Sequence, residues 1–295
     1  MQIDANGITI EYETFGPAGA PAVLLIMGLA TQLTRWPMPL VDSLVDRGYR
    51  VIRYDNRDVG LSTKFDAAGI PDLGTVVAAM IAGMRPDVPY RLDDMAADAV
   101  ALLDALGIDR AHIMGASMGG MIAQLVAVQY PARVLSLTSV MSTTGDPALP
   151  RPTDAALAVL AVRPATNDRE AIIAQSLRAE HAIASPAYPA NEAQRYRDAA
   201  RDFDRMFYPP GFARHMAAIV ADGDRTDRLR TIVVPTLVIH GIDDPLVPVQ
   251  GGRAVAAAIS GARLVEITGM GHDLPEPLIA QVADAFDALT KERRG

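Results

Sequence analysis

One short stretch decides the fold of this chain: Ala-His-Ile-Met-Gly-Ala-Ser-Met-Gly-Gly at residues 111–120. Its apolar first half is typical of a buried strand, and apolar residues recur at helical spacing after it. The Gly-Ala-Ser-Met-Gly between them fits Gly-x-Ser-x-Gly, a sharp strand-to-helix turn with the serine at its tip. Gly115 and Gly119 lack Cβ atoms, so strand and helix can pass close to this turn. The pattern predicts Ser117 as a nucleophile at a helix N-terminus, against the alternative of an ordinary N-cap serine.

Length and composition favour a globular α/β protein. The chain has 295 residues, half of them hydrophobic, a net charge of −8 and no cysteine. Disulfides and thiolate chemistry are therefore excluded within it, and the lack of a basic stripe argues against nucleic acid. The first residues do not resemble a signal peptide, and the apolar run at 22–30 is too short to span a bilayer. We expect a cytoplasmic protein that does not bind membranes; oligomeric state is not predicted.

Strand patterns alternate with helical patterns along most of the chain, which predicts a mostly parallel sheet covered on both faces. The strand patterns cover residues 2–15 (two short strands), 22–27, 51–54, 111–116, 134–140, 236–240 and 264–267. The helical patterns cover residues 38–47, 76–80, 92–106, 118–128, 248–259 and 276–290. In such sheets, ligands bind beyond the carboxyl ends of the strands.

The alternation lapses between residues 142 and 229. Helical segments separated by prolines cover residues 153–162, 168–185, 190–206 and 211–221. This pattern predicts a helical lid. The expected organisation is a core at 1–141 and 230–295, interrupted by the lid at 142–229.

Three residues that follow predicted strands form a candidate catalytic triad: Ser117, Asp244 and His272. A serine hydroxyl needs a base to take its proton, and the base needs an acid that orients it and stabilises its cation. Their order along the chain, Ser…Asp…His, is the order used by one particular fold. Asp243 and Asp146 are retained as alternatives for the acid.

Four other histidines compete with His272 for the role of base. Two of them, His112 and His240, fall within predicted strands. The other two, His181 and His215, fall in the predicted lid, where we expect them at the surface or lining a pocket. His272 is favoured because it stands in the loop between the last strand and the last helix.

The sequence resembles the α/β-hydrolase fold superfamily over essentially its whole length. Within it, the segments Ile52–Ser62 and Gly115–Gly119 are similar to those of bacterial esterases related to aclacinomycin methylesterase. The resemblance implies an eight-stranded, mostly parallel sheet. It also implies an acid three residues after the glycine that ends its strand, which is Gly241 here and favours Asp244. Residues 57–62 recur in these relatives, and we interpret them as a structural turn.

The resemblance further implies an oxyanion hole made of two backbone N–H groups. One belongs to Met118, directly after the nucleophile, and the other comes from the loop after the third strand. Leu29 is the favoured donor in that loop, and Gly28 is the alternative. The residues assigned to the candidate substrate pocket are Gly28, Trp36, Phe203 and Phe207.

These observations predict a serine hydrolase that cleaves small to medium, apolar carboxylic esters, methyl esters among them, through an acyl-enzyme on Ser117. A C–C bond hydrolase, a perhydrolase and an acyltransferase are alternatives because they keep the same triad. A non-catalytic ligand receptor on the same fold is less favoured because the triad is intact. We expect no organic cofactor and no metal, since no dinucleotide fingerprint and no cluster with ligand spacing occurs.

Overall fold

Eight strands form one sheet in a computed structural model that describes residues 1–161 and 167–291. The strands are β1 (Gln2–Ala5), β2 (Ile8–Phe15), β3 (Ala22–Ile26), β4 (Arg50–Tyr54), β5 (Ala111–Ala116), β6 (Val134–Val140), β7 (Thr236–Gly241) and β8 (Arg263–Ile267). Their order across the sheet is β1-β2-β4-β3-β5-β6-β7-β8. The pairs β1–β2 and β2–β4 are antiparallel, and the other pairs are parallel. The predicted fold class is confirmed.

Helices cover both faces of the sheet. The helices of the described residues are α1 (Met38–Asp46), α2 (Leu73–Ile81), α3 (Leu92–Ala105), α4 (Met118–Gln129), α5 (Asp154–Ala161), α6 (Arg169–Ile183), α7 (Glu192–Arg205), α8 (Pro209–Asp222), α9 (Thr226–Leu229), α10 (Gln250–Ala258) and α11 (Ile279–Lys291). One core cluster contains side chains of α3, α4 and α10, and a second contains side chains of α1 and α11. The central strands β3 and β5 are buried along their whole length, as expected for strands covered by helices on both faces.

In the described residues between β6 and β7 there are five helices, α5 to α9. Four of them match the four helical segments predicted there, although the predicted end of the first at residue 162 lies outside the described residues. In this part of the chain α5 packs on α6 and α6 packs on α7, whereas α8 packs on α2 and α3. The division into core and lid stays a prediction.

The strand β3 ends at Ile26, one residue earlier than predicted. The side chain of Asn56 donates a 2.9 Å hydrogen bond to the carbonyl of Met27, so this carbonyl leaves the sheet ladder. A Cβ at Gly119 would lie 2.0 Å from the carbonyl oxygen of Ile26, so α4 begins in direct contact with the end of β3. The loop after β3 is thereby placed beside the turn that holds Ser117.

Candidate active site

Ser117 stands at the tip of the turn between β5 and α4. Its φ of 57° and ψ of −120° form a strained conformation for a residue with a side chain. A Cβ on Gly115 would lie 2.0 Å from the carbonyl oxygen of Gly119, so this turn requires glycine at the first position. The N–H of Ser117 donates a 2.9 Å bond to the carbonyl of Val140 on β6. The predicted elbow is therefore held between the ends of three neighbouring strands.

A continuous chain of hydrogen bonds joins the three predicted triad residues. Oγ of Ser117 lies 3.0 Å from Nε2 of His272, and Nδ1 of His272 lies 2.7 Å from Oδ2 of Asp244. An ionised carboxylate only accepts hydrogen bonds, so Nδ1 carries the proton and donates it to Asp244. Nε2 is then free to accept the proton of Ser117. This arrangement can activate the hydroxyl as a nucleophile.

The environment of Asp244 keeps it ionised. Its Oδ1 accepts bonds of 2.9 Å and 2.8 Å from the N–H groups of Leu246 and Val247, and its side chain is fully buried. Burial acts to raise its pKa, but His272, His240 and the N–H of Val247 outweigh burial and lower the pKa of Asp244 to about 2. A carboxylate that is charged at neutral pH is suited to stabilising the cation that forms on His272.

The two alternative acids are engaged elsewhere. Oδ2 of Asp243 accepts a 2.7 Å bond from the N–H of Gly269, which joins the loop after β7 to the loop after β8. Oδ1 of Asp146 accepts a 2.8 Å bond from the N–H of Ala148 in its own turn. The geometry therefore brings Asp244 to His272 and gives the other two carboxylates structural contacts.

Residues 27–31, which we call the oxyanion loop after the oxyanion donor predicted there, lie directly beside Ser117. A Cβ at Gly28 would lie 3.2 Å from the Cβ of Ser117, so glycine permits this close approach. The carbonyl of Gly28 accepts a 3.3 Å bond from the N–H of Thr31. In a trans peptide the N–H points opposite to the C=O, so the N–H of Leu29 points away from Thr31. Among the hydrogen bonds of residues 1–161 and 167–291, none uses the N–H of Leu29 or of Met118.

The loop that carries His272 is held by the end of α6. The N–H of His272 donates a 2.7 Å bond to the carbonyl of Ile183, and the N–H of Gly271 donates a 2.8 Å bond to Oγ of Ser185. Ser185 in turn donates to Asp273 through both its N–H and its hydroxyl. Burial raises the pKa of Asp273. The helical part of the chain between β6 and β7 thus positions the candidate base.

The turn at residues 55–62 is a buried polar network beneath the oxyanion loop. Arg57 forms a two-bond ion pair with Asp98 of α3, at 2.6 Å and 2.7 Å. Asp58, at a φ of 64°, forms a similar pair with Arg214 of α8, at 2.7 Å and 2.9 Å. Asp55 lies 2.7 Å from a guanidinium nitrogen of Arg205. The structural interpretation of this turn agrees with these contacts.

The residues assigned to the substrate pocket fall in different places. Gly28 lies at Ser117, whereas Trp36 is fully buried in the core cluster that faces α1 and α11. Phe203 and Phe207 stack with their ring centroids 5.2 Å apart, and Phe203 packs on a small cluster between α6 and α7. Contact of any of them with a substrate stays a prediction.

The two histidines of the predicted lid, expected at the surface or lining a pocket, lie in different environments. His215 is not at the surface: it is fully buried and bonds to Ala30 and Arg57. The other, His181, is exposed and pairs with Glu192. Sequence reasoning also missed Asn56, whose side chain holds the oxyanion loop. A run of polar residues directly after a buried strand was the available signal.

Comparison with known proteins identifies the family. A family model of the alpha/beta hydrolase fold matches residues 21–276. The chain belongs to the α/β-hydrolase fold family. This hydrolase-family chain is 33% identical to the rhodomycin D methylesterase of Streptomyces peucetius, over 98% of both proteins. It is 34% identical to a putative carbamate hydrolase of Variovorax paradoxus, over 89% of both.

A solved structure agrees with this assignment. The enol-lactonase of Burkholderia xenovorans superposes with a TM-score of 0.72 at 25% identity, and the match covers 99% of this chain and 98% of that one. Within residues 1–161 and 167–291, no group of three or more potential ligands could hold a metal ion. No helix in this described part is long and apolar enough to cross a membrane. The predicted resemblance to the hydrolase superfamily is confirmed.

Proposed function

We propose that this protein is a serine carboxylesterase that hydrolyses small to medium, apolar esters, methyl esters among them, through an acyl-enzyme on Ser117. The observation that carries the proposal is the unbroken hydrogen-bond chain from Ser117 through His272 to a buried, ionised Asp244. The relatives support hydrolysis of an ester bond, since one is a methylesterase and a similar structure is that of an enol-lactonase.

Acylation begins when Oγ of Ser117 attacks the ester carbonyl and its proton passes to Nε2 of His272. The new C–O bond converts the carbonyl oxygen into an oxyanion, which the N–H groups of Leu29 and Met118 bind. Collapse of this intermediate breaks the bond to the alcohol, which takes the proton from His272. Asp244 stabilises the imidazolium throughout, and each oxyanion donor contributes about 3–4 kcal/mol to the transition state.

Deacylation repeats these steps with water. His272 takes a proton from the water molecule, whose oxygen attacks the acyl carbon. Collapse of the second tetrahedral intermediate breaks its bond to Oγ of Ser117, which takes the proton back from His272, and the carboxylic acid is released. The position of Ser117 at the N-terminus of α4 favours the negative charge that develops twice in this cycle.

The test is hydrolysis of p-nitrophenyl esters from acetyl to dodecanoyl, followed by aliphatic and aromatic methyl esters. We expect turnover to peak at short or medium chains and kcat to fall about 10⁶-fold in Ser117→Ala, the scale that follows loss of a nucleophilic serine. Ser43→Ala is the matched control, because Ser43 lies on α1 and contacts Arg47. A folded wild-type protein without turnover on any ester would contradict the proposal and favour C–C bond cleavage or ligand binding.

A further inference from the structure

A buried histidine on α8 bridges two backbone groups beside the candidate active site. Nδ1 of His215 lies 3.1 Å from the N–H of Ala30, in the oxyanion loop. Its Nε2 lies 2.8 Å from the carbonyl oxygen of Arg57, in the 55–62 turn. His215 is fully buried. The ring therefore connects three separate parts of the chain: α8, the oxyanion loop and the polar turn beneath it.

These two contacts determine the protonation state of His215. A backbone carbonyl only accepts a hydrogen bond, so Nε2 carries a proton and donates it to Arg57. A backbone N–H only donates, so Nδ1 must present its lone pair to Ala30. Both contacts are satisfied only by the neutral ring protonated at Nε2. Burial, which lowers the pKa of His215 to about 4, keeps the ring in this form at neutral pH.

The bond to Ala30 holds a strained part of the oxyanion loop. Ala30 has a φ of 50°, a left-handed conformation that residues with a Cβ adopt at a cost. The peptide between Leu29 and Ala30 is held at both ends: its carbonyl accepts a 2.8 Å bond from Oγ1 of Thr31, and its N–H donates to His215. The peptide between Gly28 and Leu29 is held as well, because its carbonyl accepts a hydrogen bond from the N–H of Thr31. Because the peptides on both sides of Leu29 are fixed, the direction of its N–H is fixed as well.

We propose that His215 is a positioning residue for the oxyanion hole. It holds the Leu29–Ala30 peptide so that the N–H of Leu29 can bind the oxyanion. Because His215 lies on α8, the direction of this donor depends on how α8 packs. The inference rests on the proposed function, because it assumes an oxyanion at Ser117. It adds a residue that touches neither the substrate nor the triad.

Two amide substitutions separate the two hydrogen bonds of the ring. His215→Asn places an amide oxygen near the position of Nδ1, so it keeps an acceptor for the N–H of Ala30 and loses the bond to Arg57. His215→Gln reaches to the position of Nε2, so its amide N–H keeps the bond to Arg57 and Ala30 loses its acceptor. His215→Leu removes both bonds. His181→Asn is the control, since His181 is an exposed histidine on α6 that contacts Glu192.

The experiment measures kcat and KM on p-nitrophenyl acetate and the affinity for an alkyl boronic acid, which forms a tetrahedral adduct on the serine. We expect His215→Gln and His215→Leu to lower kcat about 10- to 100-fold, below the effect of removing an oxyanion donor outright. KM should change less than about threefold, and affinity for the boronic acid should fall with kcat. His215→Asn should retain most of both.

A merely structural role would give a different pattern. Asn and Gln variants that are equally active, or a loss confined to KM, would overturn the proposal. Should His215→Leu fail to fold, the Asn and Gln pair decides alone, because both keep a polar side chain of similar size. An inactive wild-type protein would instead refute the esterase function, so the two failures are distinguishable.

Discussion

The oxyanion loop follows β3 and the loop that carries His272 follows β8, and both loops lie at Ser117. Different kinds of groups hold them in place. Neutral groups hold the oxyanion loop: the amide of Asn56, Thr31 and the uncharged ring of His215. The other loop also has neutral contacts, to Ile183 and Ser185, but three carboxylates take part in holding it: Asp244 at the histidine itself, Asp243 at Gly269 and Asp273 at Ser185. The two halves of the site should therefore respond differently to changes in charge, although they serve one reaction in the proposed mechanism.

The largest effect is expected from the carboxylate of the histidine loop. Asp244→Asn should lower kcat about 10⁴-fold, because the amide cannot stabilise the imidazolium and favours the wrong tautomer of His272. The matched control is Asp243→Asn, since the neighbouring carboxylate contacts Gly269 and not the ring. Steady-state kinetics on p-nitrophenyl acetate measure both. Equal losses in the two variants would contradict the assignment of the acid.

The network beneath the oxyanion loop should contribute stability. Arg214→Met breaks the buried pair with Asp58 and leaves that carboxylate unpaired, so we expect a loss of about 3–5 kcal/mol in the free energy of unfolding. Arg230→Met breaks an exposed pair with Asp227 and should cost less than about 1 kcal/mol. Urea denaturation compares the two variants. A small loss for Arg214→Met would show that the network does not hold α8 to this turn.

The neutral histidine should give the protein a defined dependence of stability on pH. The pKa of His215 is lowered by burial to about 4, against an ordinary value of about 6.5. Between these pH values the unfolded chain binds a proton that the folded chain does not, so stability is full above about pH 6.5 and falls towards pH 4. The loss amounts to about 3 kcal/mol.

A pairwise comparison isolates this contribution. The difference in the free energy of unfolding between the wild type and His215→Asn should shrink as the pH falls through this window. The charged and titratable groups that face the ring, Asp58, Arg57, Arg214 and Tyr90, are present in both proteins and so cancel to first order. A difference that stays constant from pH 7 to pH 4 would show that His215 is not held neutral.

Much of this architecture could be predicted from the sequence, because its signals are local. Strands, helices and the turn around Ser117 follow from apolar spacing and from glycines that a short motif requires. The adjacent carboxylates Asp243 and Asp244 could be ranked but not separated, since both follow the same strand. Their different partners, Gly269 and His272, belong to other parts of the chain.

The connections of His215 could not be predicted for the same physical reason. Ala30 lies 185 residues away along the chain and Arg57 lies 158 residues away. No local pattern indicates which turn of α8 meets the oxyanion loop. The sequence therefore predicted His215 only as a surface or pocket-lining residue. Trp36 shows the same difficulty. It lies close along the chain to the predicted site loop and was assigned to the pocket, and its side chain lies in a core cluster.

The most direct test of the account is labelling of the native protein with a fluorophosphonate, followed by mass spectrometry of its peptides. We predict a single adduct, located on Ser117, whose formation is blocked by a slowly hydrolysed ester and greatly slowed in Asp244→Asn. Absence of labelling on the folded, native protein, or an adduct on another residue, would contradict the claim that Ser117 is an activated nucleophile.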